Sequence, residues 1–520
     1  MNGTWTLTKL VLRRERLIAP LWMLLLVALA AGQVKRYATG IGDIGAFARE
    51  MAANKALSAF AGEIPSATPA GMAVWKNADA IYTILALIMI LTVIRHTRGE
   101  EESGRAELVG AAVVGRRAPL TAALTVTCGS AVLAGALTAV AMTATGADAA
   151  GSAAFGAAIA AAGAVFAALG AVAAQLTQTA RTAIGVAGLG LGVSYVLRFA
   201  ADGSGVTALK WLSPQGWSHL VKPYGANDVG VLLLSLACTV AAIAVAYRLA
   251  ARRDLGHGLI PERPGPAGST WLRTPLRLAW RLHKGLLIGW VAGYAVAGLV
   301  FGALAGSIQE VSRQGAAVEE FFRRYTASPE ATMTDAYLWL MALSLGYVAA
   351  LYPLLALLRL RAEEQSGRAE LLLAQPVARL RWAAGHLLLA LAGSAGILAV
   401  AGLAMGIAAG DVLGVLGGTL IQIPAVWVLA GVGVAAFGLL PRAAAAISWA
   451  AYLFVNLFGE VLGPILGLDY WIAKYAVPFP NLPMVLSGEP FAATPVLIMV
   501  GVTAALIATG MAALRRRALA

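Results

Sequence analysis

The chain has 520 residues, of which 59% are hydrophobic and 12% charged, and its net charge is +13. Soluble domains run about 45–50% apolar and about 25% charged, so this composition excludes a soluble enzyme and a disordered chain. The apolar residues fall in long runs, which makes the chain a polytopic membrane protein and the excess of positive charge a matter of topology before nucleic acid.

Twelve runs reach the length a spanning helix needs, about 20 residues. They lie near 17–34, 74–95, 119–143, 152–175, 182–200 and 228–248, then near 285–305, 336–358, 382–407, 412–439, 443–463 and 493–514. The stretch before the first is amphipathic and lacks a convincing small-residue cleavage site, so it reads as part of the fold rather than a signal peptide. With the N-terminus placed in the cytoplasm, the inner side holds 27 of the 39 Lys and Arg and 10 of the 26 Asp and Glu. That bias follows the positive-inside rule, puts both termini in the cytoplasm and leaves no reason to expect nucleic acid. Cys128 and Cys238 sit inside apolar runs and are expected to pack in the core.

An internal repeat organises the chain. Residues 98–108 read RGEEESGRAEL and residues 361–371 read RAEEQSGRAEL, nine of eleven positions matching at an offset of 263. The entrances also correspond: TWTLTKLVLRRERL from Thr4 and TWLRTPLRLAWRLH from Thr270 are basic, amphipathic and suited to the membrane interface. The predicted fold is therefore all-α, with two parallel six-helix repeats. The first half is 1–253, a Pro/Gly-rich linker is 254–269, and the second half is 270–520.

The repeated motif is the first candidate site. Glu100, Glu101, Ser103, Gly104, Arg105, Glu107 and Leu108 lie between spans two and three. Glu363, Glu364, Ser366, Gly367, Arg368, Glu370 and Leu371 lie between spans eight and nine. A short helix is expected after each Ser-Gly, with acid and base beside an apolar knob. That combination suits docking of a soluble partner on the cytoplasmic face.

EExSGRAEL, followed by a small apolar helix and the ending Pro376-Val377-Ala378-Arg379, resembles the coupling helix of ABC-2 type transporter permeases. The fused arrangement is similar to the twelve-span actinobacterial permeases of polyketide-antibiotic and multidrug exporters. Trp211-Leu212-Ser213-Pro214-Gln215-Gly216-Trp217 also resembles that family's loop between its last two spans, whereas Pro478, Pro480 and Pro483 fill the loop in the second half. The resemblance implies elbow helices at both entrances and coupling helices that dock two copies of a nucleotide-binding ATPase subunit. ATP and Mg would sit on those subunits, since this chain has no G-x-x-x-x-G-K-[ST] loop. It further implies export of hydrophobic or amphipathic small molecules such as antibiotics across the bacterial plasma membrane, with the permease itself not an enzyme.

The substrate path is sought among polar residues inside spans. Ser448, Tyr452, Asn456 and Glu460 recur every four residues on the eleventh span, and Arg198 matches Glu460 in depth, which suggests an outer gate. Lys76 and Asp79 are spaced to pair at the outer end of span two. Gln422 reads as interhelical glue, and Gly185, Gly188, Gly190 and Gly192 as a closely packed stretch of span five. The alternative function is a proton-coupled carrier of the major facilitator type, weakened by the lack of an acidic relay through the membrane centre.

Overall fold

The computed structural model describes residues 3–40, 43–53, 61–111, 113–254, 256–260, 268–269, 271–312, 326, 328, 330–456, 458 and 475–517. All regular structure among them is helical. The chain forms two compact units, Met1–Gly265 and Pro266–Ala520.

In the first unit α1 (Thr4–Glu15) leads into α2 (Ile18–Gly40) and α3 (Ile44–Ala53). Pro20 has no N–H to give to the Arg16 carbonyl, and the helix breaks there, which separates the basic entrance from the span. Then come α4 (Pro69–Arg95), α5 (Arg98–Glu102) and α6 (Arg105–Gly110). Spans α7 (Ala118–Ala144), α8 (Ala149–Leu176) and α9 (Ala180–Ser204) follow. Short helices α10 (Ala208–Trp211) and α11 (Pro214–Leu220) precede α12 (Leu232–Arg252). Two of the long helices start on side-chain caps as follows: Thr68 accepts from the Gly71 amide at 3.1 Å and Asp148 from the Gly151 amide at 2.7 Å. Helices α7 and α8 meet backbone to backbone, since a Cβ on Gly135 would lie 2.2 Å from the Gly156 carbonyl oxygen. The four glycines of α9 differ from expectation: a Cβ at Gly185, Gly188, Gly190 or Gly192 would meet open space.

The second unit begins with α13 (Pro275–Ser312), a single helix. Its entrance is thus no separate elbow; Pro275 starts the helix and no later proline interrupts it. Then come α14 (Met333–Ala349) and α15 (Leu351–Gln365), broken at Ala350, where Pro353 cannot donate to the Ala349 carbonyl. Helices α16 (Arg368–Leu373), α17 (Arg379–Ala409), α18 (Val412–Leu420) and α19 (Ile423–Leu439) follow, with Pro424 at the α18–α19 break. The described part ends with α20 (Ala444–Asn456) and α21 (Ala493–Arg516). Gly302 on α13 and Gly438 on α19 are the close-approach points here, each 2.1 Å in Cβ terms from a carbonyl of α17 or α21.

Eleven helical runs among the described residues are long and apolar enough to cross a membrane, counting 69–102, 333–365 and 412–439 as one each. They match eleven of the twelve predicted spans. The span expected near 443–463 is represented by the 13 residues of α20; beyond it only Phe458 is described before 475, and Glu460 lies outside the described residues. The chain is a multi-pass membrane protein.

Candidate functional site

The repeated motif folds the same way twice. Ser103-Gly104 turns the chain between α5 and α6, and Ser366-Gly367 turns it between α15 and α16. Gly104 has φ of +73° and Gly367 of +70°, a left-handed conformation that a Cβ would strain. Each serine hydroxyl donates back to the carbonyl of the first motif glutamate, Ser103 to Glu100 and Ser366 to Glu363, both at 3.2 Å.

The acidic pair of each motif turns toward its own unit. Glu100 is bridged by Arg14 of α1 at 2.8 Å and Arg105 of α6 at 3.2 Å. Glu101 takes both terminal nitrogens of Arg253, at 2.7 and 2.6 Å, and Arg98 at 2.9 Å. Arg98 is itself buried and donates twice to the Ala174 carbonyl at the end of α8. In the second unit Glu363 holds Arg359 at 3.4 Å and the Trp382 indole at 3.3 Å, with His386 at 3.6 Å. His386 in turn contacts His283 of α13 at 2.9 Å. Glu364 takes Arg517 at 2.8 Å. Arg253 and Arg517 occupy the same place, the residue just after the last helix of their unit.

The remaining motif residues face outward. Leu108 is 78% and Leu371 75% exposed, and Arg105, Glu107, Arg368 and Glu370 are exposed beside them. The fourteen predicted docking residues thus divide into four inward acids, two turn pairs and an outward charged-apolar face. Sequence reasoning missed the inward partners Glu15, His96, Arg253, His283, His386 and Arg517. Glu15 of α1 binds both Arg95 and His96 beside the first motif, the latter at 2.5 Å.

At the opposite end of the first unit a second charged cluster is buried. Arg198 of α9 is fully buried, with its guanidinium 3.1 Å from Asp79 and 3.3 Å from Asp202. Lys210 also binds Asp202. The Trp211–Trp217 segment supplies the lid: Ser213 caps α11, accepting from the Gly216 amide at 2.9 Å. Gln215 donates to Asp79 at 2.9 Å and Thr83 at 2.7 Å, and His219 lies 3.2 Å from Asp79. Burial is the largest influence on the His219 imidazole and pushes its pKa below the ordinary value, against the pull of Asp79. A hydrogen bond from Lys222 at 2.5 Å holds Glu63 below the usual carboxylate range.

This arrangement replaces the expected Lys76–Asp79 pair. Asp79 goes to Arg198, Gln215 and His219, while Lys76 is exposed. Arg198 has its acids within its own unit, and Glu460, its expected gate partner, lies outside the described residues. On α20 the polar stripe is bonded locally: Ser448 donates to the Ala444 carbonyl at 2.7 Å and Asn456 to the Tyr452 carbonyl at 2.9 Å. Tyr452 packs edge-on against Trp449 at 6.1 Å. Gln422 is buried at the α18–α19 break, its amide 3.5 Å from the Gly418 carbonyl.

The family "Multidrug efflux system permease Rv1217c, C-terminal domain" matches residues 272–515, nearly all of the second unit. The "Multidrug efflux system permease protein Rv1217c" of Mycobacterium tuberculosis is 42% identical over 531 aligned positions, covering 99% of this chain and 95% of that protein. A match end to end at this identity spans both units, and the chain belongs to the family of multidrug efflux system permeases.

Proposed function

We propose that this permease is the membrane subunit of an ATP-driven exporter of ABC type, moving hydrophobic or amphipathic small molecules out of the cell. Separate ATPase subunits, two copies for the one fused permease, dock on α6 and α16 and carry ATP and Mg. The supporting observation is the double occurrence of one device: a helix–Gly–helix turn whose acids clamp the bundle and whose other face offers Leu, Arg and Glu outward. Such a piece is anchored on one side and sticky on the other, which suits a lever. In this reading the motif ends and both termini face the cytoplasm, which the charge bias supports, and the membrane is the bacterial plasma membrane.

The test is copurification in detergent with any P-loop ATPase found encoded beside the gene. Wild type retains about two ATPase copies, and Glu107→Arg with Glu370→Arg retains none. A wild-type permease that holds no ATPase and transports on a proton gradient would make it a secondary carrier instead.

A further inference from the structure

A cavity of about 150 Å³ lies in the first unit between α1, α6 and the start of α7. Its lining is partly apolar: Leu7, Leu10 and Val11 from α1, Val109 from α6, Val114 from the loop and Leu120 from α7. The same lining carries charge, with Arg14, Arg105, Arg116 and Arg253 against Glu100 and Glu101. The arginines exceed the acids by two. Glu100 is shared between Arg14 and Arg105, and Glu101 is taken by Arg253. Arg116 donates to the Arg253 carbonyl at 2.6 Å, a neutral acceptor, and forms no salt bridge among the described residues.

Helix α1 itself is built for a bilayer surface. Thr8, Val11 and Glu15 form its buried stripe, while Trp5, Leu10 and Leu12 are exposed beside the exposed Lys9 and Arg13. Such a helix lies at headgroup level. A recess there, partly apolar and carrying surplus guanidinium, matches a molecule with an acyl chain and a negative head.

We infer that this recess binds one anionic phospholipid, its phosphate at Arg116 and Arg14 and the upper part of an acyl chain against Leu7, Leu10 and Val11. Among the described residues the entrance of the second unit runs straight into its first span as Pro275–Ser312, with no separate helix in the place of α1. The lipid shares Arg105 and Glu100 with the motif and so touches the lever without depending on what docks there.

The test is photo-crosslinking of the full-length permease in phosphatidylcholine vesicles doped with a photoactivatable phosphatidylglycerol, mapped by peptide mass spectrometry. Label is expected to concentrate on 4–15 and 106–120. It should be displaced by phosphatidylglycerol and not by phosphatidylcholine or inorganic phosphate. Arg116→Glu should reduce it roughly tenfold, as reversal of one interfacial charge predicts, and Val11→Trp should reduce it by filling the recess. Arg117→Glu, an exposed neighbour outside the recess, should leave it unchanged, and gel filtration confirms that all three variants remain folded. Label spread over the surface, equal displacement by phosphatidylcholine, or no loss in folded Arg116→Glu or Val11→Trp would overturn the assignment.

Discussion

Arg253 closes the end of the first unit onto Glu101 with both terminal nitrogens on the carboxylate, and 264 residues later Arg517 closes the second unit onto Glu364. Each clamp ties the motif to the last helix of its unit, so a push on the motif is delivered to that helix. The Glu101 and Arg253 side chains are only 11% and 8% exposed, and Arg98 leans on the same carboxylate, so removing Glu101 leaves two nearly buried guanidiniums without their acid. Glu101→Ala should cost about 3–5 kcal/mol and lower the apparent melting temperature in detergent. The double change Glu101→Ala with Arg253→Ala should cost less than the two single changes added together, and strictly additive losses would mean that the pair is not a unit.

The outward face should behave in the opposite way. Leu108→Ser and Leu371→Ser truncate exposed side chains with little to lose in the fold. Both should leave thermal stability within about 0.5 kcal/mol of wild type while weakening ATPase retention. Destabilised protein with normal retention would reverse the assignment of the two faces.

The two turn glycines offer a graded test. A Cβ at Gly104 or Gly367 meets nothing within 4 Å, so the only penalty is the left-handed backbone. Alanine should cost about 1–2 kcal/mol there, and asparagine, which tolerates that conformation, clearly less. The order Gly, Asn, Ala should appear in ATPase retention as well as in melting. Equal behaviour of Asn and Ala would show that the turn does not set the angle of the docking helix.

These contrasts mark what was legible in the sequence. The spans were, because an apolar run of spanning length marks a helix, although its ends shift by up to ten residues, as for 285–305 against Pro275–Ser312. The motif and its Ser-Gly turns were, because the 263-residue repeat isolates them. The inward direction of Glu101 and Glu364 was not, since their arginine partners lie 152 and 153 residues away and look like ordinary basic flanks. The elbow asymmetry left a trace in the prolines: Pro20 breaks the first entrance from its span, and Pro275 merely opens the second helix. Local pairing of Lys76 with Asp79 failed for the same reason as the glutamates. A buried guanidinium from α9 outcompetes an exposed neighbour one turn away.

The cluster around Asp79 should make stability depend on pH through His219. This imidazole faces Asp79 at 3.2 Å, with Arg198, Asp202 and the edge of the Tyr82 ring around it. Burial, the largest influence, lowers its pKa in the folded protein, so the unfolded chain binds a proton more readily. Stability from this group is complete above the unfolded value of about 6.5 and is lost as pH falls below it. His219→Gln removes that titration and keeps a side-chain amide able to donate to Asp79. Melting temperatures of wild type and variant, measured between neutral and mildly acid pH, should converge as the pH falls because wild type loses more. Parallel curves would mean that His219 binds its proton equally well folded and unfolded, with Asp79 offsetting the burial.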